Sequence, residues 1–268
     1  MKSFRVTFLS VAVAVICLTL GISLRAAESA LPMTADSLAS RLSVLRQNGT
    51  SYVRLRMEIQ APTKETLQLQ IKERRTQHSF EIVYQVLYPK ERKGESVFLH
   101  KLGTHPASGS VFVPPDTLRP IDALTEPLFG SDLSYADIVE DFFAWGQQAI
   151  VGNEKVDGVN CPILESKPGK DERSIYGSVR SWIDVRRLVP LRVEKYARSG
   201  QLLRRIDTID VIANAGRQIP ATLVISGARG ESSTRLAGSR LRQDVSYTDR
   251  DFTIEGLREI ASPRKPRD

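Results

Sequence analysis

Cysteine and histidine are scarce in this chain, with two and three among 268 residues. Cys17 falls inside an N-terminal apolar run, so Cys161 is the only thiol outside it. One thiol cannot make an internal disulfide, and the fold must rest on its packed core. Cys161 lies between Val159 and Ile163 and reads as a buried strand residue. His78, His100 and His105 lack metal-ligand spacing and read as ordinary strand or loop residues. There is no serine in a Gly-x-Ser-x-Gly setting, no His-Glu-x-x-His helix and no phosphate-cradling glycine loop. No catalytic residue, metal or cofactor is therefore expected. A continuous positive stripe is missing too. The pairs Arg74–Arg75, Arg186–Arg187 and Arg204–Arg205 stand beside Glu73, Asp184 and Asp207, so nucleic acid is not an expected partner.

Long apolar runs are confined to the start. Lys2 and Arg5 precede the stretch Val6–Leu20, and the small residues Ala26, Ala27 and Ala30 follow it. That order of charge, apolar core and small residues predicts a signal peptide over residues 1–27, cut after Ala27. The run is shorter than the roughly 20 residues that span a bilayer. Ile16 precedes Cys17 and Leu18–Leu20 continue the run, which argues against lipid attachment there. Removing 27 of 268 residues leaves 241, with 35 basic and 31 acidic side chains, a net charge of +4. A modest, well-mixed excess suits transient contact with an anionic membrane surface without demanding it. The expected organisation is one domain over 28–260, with a charged, proline-containing flexible tail over 261–268.

Periodicity places one helix first and strands after it. In Thr34–Gln47, Leu38, Leu42 and Leu45 recur three and four apart on one helical face. Thr34 or Asp36 caps its start. Leu67, Leu69 and Ile71 alternate with Gln68, Gln70 and Lys72, the period of a half-buried strand. Leu191, Val193 and Lys195 alternate in the same way with Arg192 and Glu194. Further strands are read at Tyr52–Ile59, Phe80–Leu87, Val97–Leu99, Val111–Val113, Trp145–Val151, Val156–Leu164, Ile175–Val185, Gln201–Ile212, Thr222–Ile225 and Leu241–Tyr247. Asn153–Lys155, Asp157–Gly158 and Ser199–Gly200 read as turns. Pro120–Phe143 breaks the rhythm, and Asp132 or Ser134 caps a second helix there. Asp137, Glu140 and Asp141 read as solvent-facing acids near a helix start, not as metal ligands. Leu257–Ile260 reads as a closing helical turn. About eleven strands and two helices make an α+β protein built on one large curved antiparallel sheet.

A resemblance goes further than these motifs. Phe129–Ile138, FGSDLSYADI, resembles a signature of the bacterial outer-membrane lipoprotein-sorting proteins of the LolA/LolB-like superfamily. Gly152–Cys161, Trp182–Asp184 with Leu188–Tyr196, Ser199–Leu203, and Asp251–Thr253 with Leu257 resemble later units of that family, in the same order. The likeness covers roughly Tyr52 to Leu257. It implies an incomplete β-barrel covered by helices and a periplasmic address. It also implies a role in carrying lipoprotein acyl chains or other lipids, with an inner-membrane transporter or outer-membrane acceptor as protein partner. The alternative is a non-catalytic periplasmic scaffold or envelope-stress sensor. On the carrier reading, Leu38, Leu42, Leu45, Leu67, Leu69, Ile71, Leu191 and Val193 are expected to line the cavity or its lid. The chain departs from the family at Pro115–Leu128, where a basic, glycine-containing loop is replaced by a stretch with one basic residue, Arg119.

Overall fold

The computed structural model describes residues 33–46, 49–61, 63–76, 79–103, 105–170, 172–227 and 230–260. The signal segment 1–27 with Cys17, the tail 261–268 and His78 lie outside the described residues. Thirteen strands follow helix α1 (Ala35–Arg46). They are β1 (Gly49–Gln60), β2 (Lys64–Arg75), β3 (Ser79–Tyr88), β4 (Ser96–Leu102), β5 (Ser108–Val113) and β6 (Thr117–Pro120). Then come helix α2 (Tyr135–Val139), β7 (Gln147–Val156), β8 (Val159–Lys167), β9 (Ser178–Asp184) and β10 (Val189–Tyr196). The chain finishes with β11 (Leu202–Asn214), β12 (Arg217–Gly227), β13 (Ser233–Gln243) and helix α3 (Ile254–Arg258).

All thirteen strands join one antiparallel sheet, in the order β6-β5-β4-β3-β2-β1-β13-β12-β11-β10-β9-β8-β7. The first and last strands pair at its centre, and the consecutive strands β6 and β7 form its two edges. The sheet is curved and does not close into a barrel. The non-strand segment 121–146 must therefore run from one edge to the other, and it carries α2 across the inner face.

The period-two pattern decides which side chains meet. Met57, Ile59, Leu67, Leu69 and Ile71 face inward and pack with Leu128, Leu133, Ile138 and Val139 of the crossing segment. A second inner cluster lies under α1, where Leu38, Ala39 and Leu42 meet Phe142, Phe143, Trp145, Leu164, Ile183 and Val193. Outer-face positions of β8–β10 form a third cluster, in which Cys161 is fully buried beside Trp182, Val189 and Leu191. The C-terminal segment covers part of the outer face, with Phe252 and Leu257 on Val83 and Phe112.

Several local readings change. Asn153–Lys155 lies within β7, and the chain reverses at Asp157–Gly158 instead, where φ is 46° and 83°. Two successive positive φ angles match the twist of a tight hairpin, and glycine adopts one at little cost. The last strand is Ser233–Gln243, not Leu241–Tyr247. Its small residues Ala237, Gly238 and Ser239 flank a register shift opposite Arg54 and Leu55, which hides the alternation. β6 escapes periodicity because it is a four-residue edge strand with every side chain exposed. A bulge between Pro190 and Arg192 turns Leu191 to the outer cluster and leaves Val193 on the inner one. The two residues thus do not share a face, although their spacing predicts it.

Candidate functional site

A cavity of about 730 Å³ lies against the inner face of the central strands. That volume falls in the roughly 300–1,000 Å³ range of small-molecule sites. Its apolar wall is assembled from many elements: Val53 of β1, Ile82 and Tyr84 of β3, Ile206 of β11, Leu223 and Ile225 of β12, and Leu236 and Leu241 of β13. The crossing segment adds Leu133 and Ile138. Charge collects where β1 begins and β2 and β13 end. There Glu73, Arg75, Arg217 and Asp244 border the same space. Arg75 pairs with Glu73 and stacks on Phe80, its guanidinium carbon 4.9 Å from the ring centroid. The site is amphiphilic, with a greasy interior and a charged end of mixed sign.

Of the eight residues expected at a cavity or lid, Leu45 borders this space. Leu67, Leu69 and Ile71 are buried in the core beside it, and Leu38, Leu42 and Val193 pack under α1. Leu191 lies in the outer cluster. Helix α1 is thus seated by its leucines on the β8–β10 half of the sheet, and only its C-terminal end reaches the cavity. Its start is capped by Thr34, whose Oγ1 accepts the Ser37 N–H at 3.1 Å.

Sequence reasoning missed the polar floor. The Asp137 side chain is completely buried. Its Oδ1 accepts from Lys195 Nζ and from the Tyr176 hydroxyl, each at 2.7 Å. Its Oδ2 accepts from the Ser134 backbone N–H at 2.8 Å, from the Ser134 hydroxyl at 2.7 Å, and from the Arg204 guanidinium. Burial alone would raise the carboxyl pKa, but the charges of Lys195 and Arg204 outweigh it and hold the group well below the usual carboxylate range. Burial, then the Asp137 charge, pushes the Tyr176 phenol far up. One carboxylate thereby ties α2 to β10, β11 and the segment before β9.

The other two acids are also occupied. Glu140 accepts from the Ser174 hydroxyl, and burial raises its pKa. Asp141 accepts from Ser43 Oγ of α1 at 2.8 Å. None of the three is the solvent-facing acid its position near a helix start predicts. One signal for this was visible: Lys195 occupies the apolar phase of the β10 alternation, and a lysine there requires a buried partner.

Ser134, not Asp132, caps α2, in a reciprocal pair with Asp137. Asp132 instead accepts from Ser232 and from Thr234 at 2.8 Å, pinning the crossing segment to β13 and the turn before it. Arg119, the one basic residue of the departing stretch, lies on β6 and pairs with Glu126. Among the described residues no group of three or more His, Cys, Asp or Glu side chains could hold a metal ion.

A family model described as "Uncharacterized protein" matches residues 84–259, well over half of the chain. The chain belongs to that family. No curated protein matches by sequence. Solved structures define the fold of this family member. A DUF1329 family protein from Desulfovibrio piger is 22% identical with a TM-score of 0.76, over 83% of this chain and 97% of that one. A domain assigned as an outer membrane lipoprotein-sorting protein from Vibrio parahaemolyticus is 21% identical with a TM-score of 0.73, over 82% and 97%. A LolA superfamily protein from Nitrosomonas europaea is 20% identical with a TM-score of 0.66, over 83% and 99%. The fold is LolA-like: an open, curved antiparallel sheet with few helices.

Proposed function

We propose that this protein is a non-catalytic periplasmic binding or carrier protein for lipoprotein acyl chains or other lipids, working in outer-membrane lipid or lipoprotein trafficking. One observation carries the reading: a 730 Å³ space on the concave face, walled by aliphatic side chains and bordered by charge at one end. An amphiphile matches that division. Its chain would leave water at about 0.8 kcal/mol per buried methylene. Ordering the chain and the surrounding side chains takes back a large share, so net affinity is far below the gross figure. The charged end would stay with the polar head, where ions remain hydrated. An exported chain, cut after Ala27, meets such ligands in the periplasm. Release then requires a trigger, most simply a membrane or acceptor protein that favours an opened cover.

Delipidated protein titrated with a fluorescent fatty-acyl probe should bind it saturably and give it up to a lipopeptide. Native mass spectrometry of protein exported to the periplasm should show bound lipid. Folded, delipidated protein that binds neither acyl chains nor lipopeptides would defeat the carrier reading and leave a scaffold or sensor in its place.

A further inference from the structure

The outer face of the sheet carries a second feature, unconnected with the cavity. In antiparallel pairing, directly opposed residues point to the same side. The pairs Tyr52–Arg242, Arg54–Arg240, Arg56–Ala237 and Glu58–Arg235 therefore form one outward ladder across β1 and β13. It holds five arginines and one acid. The flanking positions do not neutralise it: β2 contributes Thr66, Gln68, Gln70 and Lys72 opposite Glu58, Arg56, Arg54 and Tyr52, and the nearby carboxylate of Asp251 is taken by Lys72. On the other side β12 contributes Thr222 and Val224 opposite Ala237 and Arg235. Arg56 pairs with Glu58 at 2.7 Å, and Arg54 Nε donates to the Tyr52 hydroxyl. Arg235, Arg240 and Arg242 have no carboxylate partner among the described residues. The Arg242 guanidinium lies over the Tyr52 ring, 4.8 Å from its centroid, and its buried Nε finds no acceptor.

Arg54 and Arg240 are like charges set directly opposite each other, a pairing that destabilises a sheet and that an external anion would offset. We propose that this face docks on an anionic membrane surface, with Arg56, Arg235, Arg240 and Arg242 taking lipid phosphates. The planar guanidinium fork matches phosphate oxygens. Arg56 and Arg240 are exposed and Arg235 and Arg242 half-buried, and their spread in two dimensions over two strands suits a two-dimensional array of phosphates. An acidic helix or strand would offer only a single row of charge. Docking by this face leaves the cavity, on the opposite side, free to exchange its contents with a partner.

The test is flotation of the full-length exported protein with vesicles of phosphatidylcholine alone or of phosphatidylcholine mixed with phosphatidylglycerol, which supplies the anionic surface. Binding should require the anionic lipid and weaken with salt. A surface arginine contributes about fivefold to such binding, so Arg235→Gln, Arg240→Gln and Arg242→Gln together should weaken it on the order of a hundredfold. The triple Lys90→Gln, Lys93→Gln, Arg198→Gln makes the same charge change elsewhere and should stay within a few-fold of wild type. Circular dichroism and acyl-probe titration of both triples separate this proposal from folding and from the cavity reading. Equal loss in the two triples, no preference for anionic vesicles, or arginine-dependent binding to acidic peptides with none to vesicles would each overturn the proposal.

Discussion

Asp137 is the polar anchor of α2. It is fully buried, and five donors from four residues converge on it. Removing one partner of a buried charge cluster leaves the others uncompensated, at about 3–5 kcal/mol. Asp137→Asn should lose stability of that order in urea, with the fold otherwise kept. A pH series adds a sign test. A carboxyl whose folded pKa is depressed contributes stability that is complete above its unfolded value, near 3.9, and disappears as pH falls through the folded one. Asp184, Glu165 and Asp251 are also depressed, burial opposing and their ion pairs and hydrogen bonds prevailing. Wild type should therefore lose stability in acid, and the asparagine variant less steeply. Parallel curves for the two proteins would show that Asp137 is not coupled to folding. At Cys161, burial raises the thiol pKa and closes access. A thiol reagent should label it slowly in native protein and at once in denaturant, and fast native labelling would contradict its place beside Trp182.

Among elements, the short helix α2 depends most on local chemistry. Five residues cannot sustain a helix by propensity alone, so the cap and the tertiary contacts must hold it. Ser134 supplies the cap and also donates to Asp137. Ser134→Ala should cost roughly 0.5–2 kcal/mol in chemical denaturation. Asp132→Ala should leave α2 capped and instead release the crossing segment from Ser232 and Thr234, which increased proteolysis near Gly130 would report. Equal stability of Ser134→Ala and wild type would remove the cap assignment. At this scale α1 and one of the hairpin turns were legible: Leu38 and Leu42 bury as their spacing predicts, and Asp157–Gly158 turns the chain, whereas Asn153–Lys155 continues a strand. Edges and bulges were not. The strand Thr117–Pro120 has no buried face to leave a period, and bulges at Ser239 and Leu191 shift the phase of residues that follow.

For the whole molecule, the cavity is the property to perturb. Leu223 and Leu241 border it from β12 and β13 and are only partly buried, so a larger ring can enter the space instead of the core. Leu223→Trp and Leu241→Trp should each weaken acyl-probe binding roughly tenfold, a change of about 1.4 kcal/mol, while melting near the wild-type temperature. Unchanged affinity in two folded variants would mean that the probe binds elsewhere. The antiparallel sheet, its inward leucines and the leading helix were all readable from residue order, because each rests on local periodicity and burial that neighbouring positions declare. Only the tertiary structure decided that β1 and β13 meet at the centre, since no short-range pattern encodes a pairing between residues almost two hundred positions apart. That one pairing brings Val53 beside Leu241 to wall the cavity and sets Arg54 opposite Arg240 on the other face. It was likewise the folded sheet that carried Lys195 and Arg204 to Asp137. A buried charge is tolerable only where distant partners converge, and convergence belongs to the fold.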